Sequence, residues 1–165
     1  MNPEIDMSRL PLTLALLLAS FPVAAEPAIP PAAIAETFCA ARTIGDMSLI
    51  EPYLSGALQE AIGTAMARND LIQQTAPDEK PPLGDGVPWA SYPDAPPSCD
   101  VDYEAVRTTP AAVPVSYDFA DEPGAAWTDT LVLREIDGEW RLDDIRYGGS
   151  EQTLTDLLVA AFDLP

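Results

Sequence analysis

Three groups of side chains have the types and spacing to do chemistry. Asp143-Asp144 is a pair of adjacent carboxylates, and repulsion between such neighbours can hold one protonated for general acid–base work. Adjacent strand residues face opposite sides unless a bulge redirects one. Arg141 and Arg146 are within reach as ion-pair partners, so solvated or Arg-paired carboxylates are the expectation. Asp100-x-Asp102 would project two carboxylates from one strand face. With Asp85 or Asp94 they would offer oxygens to Ca²⁺, but a calcium cage needs about six to eight oxygens and no EF-hand spacing follows. No metal site is therefore expected. The third group is aromatic: Trp89, Tyr92, Tyr103, Tyr117, Trp127 and Trp140. Tyr117 and Trp140 fit a core. Trp89, Tyr92 and Trp127 are the candidates to line an apolar pocket, with Asp129 or Arg134 as polar anchors.

Composition removes many alternatives. The chain has 165 residues, 27 Asp+Glu against 8 Lys+Arg, two Cys and no His. Without an imidazole there is no Ser-His-Asp triad, Cys-His pair or His-ligated zinc. Two Cys cannot hold a Cys₄ zinc or an iron–sulfur cluster within one chain. Gly84-Asp85-Gly86 lacks the Lys and the helix of a phosphate loop. A net charge of −19 disfavours nucleic acid and anionic membrane surfaces, both of which need cationic side chains. No cofactor is expected.

Residues 1–25 read as an export signal. Arg9 precedes an apolar run from Leu10 to Ala19, and Val23-Ala24-Ala25 sets small residues for cleavage after Ala25. The acidic Glu4 and Asp6 would leave the leader if translation began at Met7. The run is shorter than the ~20 residues a spanning helix needs. Cleavage takes Glu4, Asp6 and Arg9 from the 27 acidic and 8 basic residues, leaving a net of −18. A periplasmic or secreted protein with two Cys pairs them, so a Cys39–Cys99 disulfide is expected.

The elements that must position these residues change character along the chain. From Ala32 the pattern is helical, with Ile34 and Phe38 on one row and Gly45 as stop. Asp46 caps a short helix through Ile50, and Ser55 caps a longer one with Leu58, Ile62 and Met66 on one face. Residues 75–99 hold too many Pro and Gly for regular structure, yet Leu83, Val87, Trp89 and Tyr92 anchor them as an ordered loop. The period then becomes two: Val101–Ala105, Val113–Phe119, Trp127–Ile136 and Glu139–Tyr147. Pro114 requires an edge position or a bulge. Asp121-Glu122-Pro123-Gly124 is a turn, and Asp137-Gly138 predicts a type I′ hairpin. Leu142 and Ile145 differ in parity, which predicts a bulge near Asp143-Asp144. Ser150 caps a final amphipathic helix carrying Leu154, Leu157, Leu158, Ala161 and Phe162.

Helices followed by antiparallel strands give an α+β fold: a curved antiparallel sheet covered by N-terminal helices, with a C-terminal amphipathic helix, in one domain over 26–165. Pro52-Tyr53-Leu54-Ser55, Pro82-Leu83-Gly84-Asp85-Gly86, Trp127-Thr128-Asp129-Thr130-Leu131 and above all Asp137-Gly138-Glu139-Trp140-Arg141-Leu142-Asp143-Asp144-Ile145 resemble the nuclear-transport-factor-2-like, cone-shaped α+β superfamily, and within it secreted bacterial domains of unknown function. The resemblance implies a hollow between sheet and helices. It also implies a family containing isomerases, dehydratases and noncatalytic binding domains, with no catalytic set that maps onto these residues. The function expected is that of an exported, acidic, noncatalytic binding domain for a small molecule or protein, without membrane contact after signal cleavage. The alternatives are an envelope inhibitor or immunity-type protein that meets a basic enzyme through its acidity, and an isomerase- or dehydratase-like enzyme using pocket carboxylates.

Overall fold

The structure is a computed structural model and describes residues 28–92, 94–119 and 126–163. The export signal and the turn at 121–124 lie outside the described residues. Helix α1 (Pro31–Ile44) opens on Pro31 at its first position, where a missing N–H costs nothing and the fixed φ is already helical. Gly45 ends it at φ 74°, in the left-handed region. The Asp46 side chain accepts from Ser48 N and starts a 3₁₀ helix, Met47–Tyr53, which runs past the expected end at Ile50. Ser55 accepts from Leu58 N and starts α2 (Gly56–Thr75).

Four strands follow: β1 (Ser98–Val101), β2 (Ala112–Asp118), β3 (Trp127–Ile136) and β4 (Glu139–Arg146). They form one open antiparallel sheet in the order β1-β2-β3-β4. Asp137 (φ 54°) and Gly138 (φ 83°) make the β3–β4 turn, both in the positive-φ region that a type I′ hairpin demands. Asp143 is the extra residue of a bulge: Val132 pairs with Asp144 while Leu133 pairs with Leu142. The bulge lets Leu142 and Ile145 both enter the core despite their opposite parity. Pro114 lies inside β2, but its carbonyl accepts from Asp102 N just beyond the end of β1. Its missing N–H points to that same side, where no strand continues, so the proline sits at a local edge.

Two local expectations are corrected. The alternation at 101–105 does not extend β1. Asp102 instead accepts from Glu104 N and Ala105 N and caps α3 (Tyr103–Thr108), because an aspartate that satisfies two free N–H groups starts a helix more readily than it extends a strand. The last helix, α4 (Leu154–Ala160), is capped by Thr153 and not by Ser150, through a reciprocal capping box with Asp156.

Residues 113, 115 and 117 of β2 and 129, 131 and 133 of β3 face inward. Ile34 and Phe38 of α1, Ile50 and Leu58 cover them, and all four are essentially fully buried. The expected hollow between sheet and helices is thus corrected: that space holds the apolar core. The Cys39 and Cys99 sulfurs lie at bonding distance, with Cα atoms 5.2 Å apart, and join α1 to β1. The free edge of β4 is covered at its middle by Ser55 N donating to Leu142 O and at its end by a bridge between Arg146 and Thr153, which blunts a template for strand addition. No described helix is long and apolar enough to cross a membrane.

Candidate functional site

The central loop has no regular structure, yet side chains from four places in the fold hold it. Asn69 of α2, itself buried, accepts from Leu83 N at 2.8 Å. Tyr147, just past β4, donates its hydroxyl to Pro88 O. Arg42 of α1 donates from one terminal nitrogen to Tyr92 O (3.2 Å) and Asp94 O (3.0 Å). Asp129 of β3 is fully buried and accepts from Ser91 N (2.9 Å) and Ser91 Oγ (2.7 Å). The same carboxylate accepts from Gly148 N at 2.8 Å. One inward-facing residue therefore fixes the loop and the turn after β4 together. Glycine is required at 148, since a Cβ there would lie 2.1 Å from Thr128 O.

Between these pinned segments lies a cavity of about 720 Å³. The loop forms one wall through Leu83, Val87, Pro88, Trp89 and Tyr92. Tyr147, Gly148, Ser150 and Gln152 form a second, and Leu157, Ala160 and Ala161 from the α4 region form a third. Arg42 is the cation of the lining, and Asp85 on the loop is its carboxylate. Asp85 is exposed and paired with Lys80 at 2.5 Å.

The five residues expected to bind ligand fall into three places. Trp89 and Tyr92 line the cavity. Trp127 stands behind the wall, its ring 4.4 Å from Tyr92 and 4.8 Å from Phe119. Asp129 also supports the wall from behind, with its oxygens committed to Ser91 and Gly148. Arg134 lies on the outer face, exposed, and pairs with Asp143 at 2.5 Å. Strand parity explains this separation: residues 129 and 134 of one strand face opposite sides. The Asp143-Asp144 doublet is likewise divided. Asp144 accepts from Ile145 N and Thr155 N, whereas Asp143 takes Arg134 in place of Arg141 or Arg146. Arg141 instead pairs with Glu139 and donates to Pro52 O.

Arg42 and Tyr147 are the site residues that sequence reasoning passed over. Arg42 falls four residues after Phe38 and three after Cys39, on the buried stripe of α1. A charged residue on such a stripe is a usable signal. Burial, reinforced by Asp129, pushes the Tyr117 hydroxyl far above its ordinary range, while nearby Arg42 opposes the rise. Burial raises Tyr147 as well, with Asp129 and Asp144 adding to it. Both phenols thus stay protonated at neutral pH. Chemically, the arrangement offers an apolar slot with aromatic walls, a buried guanidinium and a hydrogen-bonded frame. Among the described residues no cluster of acidic or Cys side chains could hold a metal ion. Comparison with protein-family models, curated proteins and solved structures found no match to this chain.

Proposed function

We propose that this chain is an exported binding domain that takes a small molecule into the cavity between the central loop and the α4 region. The observation that carries this reading is the framing of the cavity. A volume of about 720 Å³ is that of a typical small-molecule site, which runs from about 300 to 1,000 Å³. Two of its walls, the central loop and the turn after β4, are locked to each other through buried Asp129. A long irregular loop held at four points is the work of a fold that needs the loop in one place.

Binding fits the chemistry better than catalysis. A general base needs a carboxylate free to accept a substrate proton. Asp129, Asp143 and Asp144 are all engaged by donors within the fold, and the Tyr147 proton is directed at Pro88 O. The leader-like residues 1–25 and the paired cysteines support a periplasmic or secreted location.

A thermal-shift screen with a chemically diverse small-molecule library tests the proposal. A ligand present at about 100 times its Kd stabilises a fold by about 2.7 kcal/mol, which for a chain of this size raises the melting midpoint by roughly 5–10 °C. An Ala161→Trp variant, whose side chain would fill the slot, should lose that shift. A screen in which no compound stabilises the protein contradicts the proposal.

A further inference from the structure

Arg42 is 8% exposed and lines the cavity. Among the described residues it has no carboxylate within ion-pair distance, although the chain carries 27 acidic residues. The buried Tyr117 hydroxyl lies close to the guanidinium, and neither it nor Arg42 Nε has another hydrogen-bond partner. A guanidinium withdrawn from water is costly unless an anion or a full set of acceptors replaces the water. The two loop carbonyls satisfy only one of its three nitrogens. The neutral hydroxyls nearby point their protons elsewhere: Ser91 to Asp129 Oδ1, Tyr147 to Pro88 O, Ser150 to Tyr147 O.

We infer that Arg42 is the anchor for an organic monocarboxylate whose flat apolar body lies against Trp89, Tyr92 and Leu157. The inference rests on the cavity being a ligand site and adds the charge and shape of what enters it. With one terminal nitrogen committed to the loop carbonyls, the other can still donate a charge-assisted hydrogen bond to a carboxylate. The apolar walls and aromatic faces fit a flat hydrocarbon or indole body. A single charge is favoured over a phosphate dianion. The lining holds one cation, Asp85 stands on the same loop, and the protein's overall field is negative. That field is screened beyond about 8 Å at physiological ionic strength, so a direct contact with Arg42 outweighs it.

Three matched probes test this on the oxidised chain by titration calorimetry: 3-(indol-3-yl)propionate, its primary amide and the corresponding alcohol. The expected result is that the carboxylate binds at least tenfold tighter than the amide or alcohol. In Arg42→Gln the carboxylate's advantage over the amide should disappear. Because Arg42 also clamps the loop, a second variant leaves that clamp intact. Gln152→Glu adds a negative charge to the lining, and it should weaken the carboxylate threefold or more without affecting the amide. Equal binding of all three probes would overturn the inference and leave the cavity as a site for neutral ligands, with Arg42 serving only to clamp the loop. Failure of all three, with other library compounds stabilising the protein, would also overturn it. Failure of every compound would overturn the reading of the cavity itself.

Discussion

Asp129→Asn isolates the bond network on which the cavity depends. The carboxylate is fully buried and accepts three hydrogen bonds, from Ser91 N, Ser91 Oγ and Gly148 N. Asparagine keeps the size and loses the charge and one accepting oxygen. With its carbonyl turned to Ser91 Oγ and Gly148 N, its NH₂ faces the Ser91 N–H, donor against donor. An unsatisfied buried donor costs about 1–3 kcal/mol, and each retained bond weakens by about 0.5–1 kcal/mol when its acceptor becomes neutral. Burying an amide in place of a carboxylate offsets part of this. The expected net loss is about 2–4 kcal/mol. Urea denaturation of the oxidised protein reads it directly: with a slope of about 2 kcal/mol per molar, the midpoint falls by about 1–2 M. Hydrogen exchange should quicken at the Ser91 and Gly148 amides. Arg107→Gln supplies the contrast, since it removes an exposed pair with Glu104 on α3 and should cost less than about 1 kcal/mol. A midpoint shift below about 0.3 M in Asp129→Asn, with exchange at Ser91 unchanged, would refute the reasoning.

Other outcomes follow from the same structure. Gly148→Ala would place a Cβ 2.1 Å from Thr128 O and should destabilise the fold by at least about 2 kcal/mol. In α2, a Cβ at Gly63 meets nothing within 4 Å, so Gly63→Ala should raise stability by up to about 1 kcal/mol in the same denaturation assay. Thiol titration of the denatured, unreduced chain should find no free thiol, and replacing both cysteines with serine should cost about 4 kcal/mol, from the entropy of a loop spanning 60 positions. Tyr117 and Tyr147 have native pKa values raised above those of the unfolded chain. Their contribution is therefore complete below about pH 10 and is lost as pH rises beyond it. Alkaline titration followed by phenolate absorbance should show two of the five tyrosines ionising only as the fold opens.

Much of the second half could be read from the chain because its signals are local. Asp137-Gly138 sets its own turn, and the parity conflict between Leu142 and Ile145 has one economical solution, the bulge at Asp143. The errors arose where a short pattern fitted two elements. Val101 to Ala105 alternates, but the Asp102 side chain reaches two N–H groups and turns the chain into α3. Thr153-x-x-Asp156 outcompetes Ser150 because it satisfies the helix start from both directions. The aromatic residues of the site were legible as a set, since Trp89 and Tyr92 sit among prolines where a core role is hard to fill. The location of the cavity was not. It depends on contacts across long separations, Asp129 to Ser91 and Arg42 to Asp94, and no periodicity encodes those. Arg42 was visible as a charge on the buried row of α1, a conflict between pattern and residue type of the kind that marks functional positions.

Hydrogen exchange of the oxidised chain with and without saturating 3-(indol-3-yl)propionate, resolved along the sequence by mass spectrometry, addresses the site most directly. The predicted result is slowed exchange confined to residues 82–92 and 147–161. Slowing that falls instead on the shallow recess between Glu36 and Tyr103, beside the disulfide, or no slowing anywhere at concentrations that saturate the calorimetric signal, would contradict it.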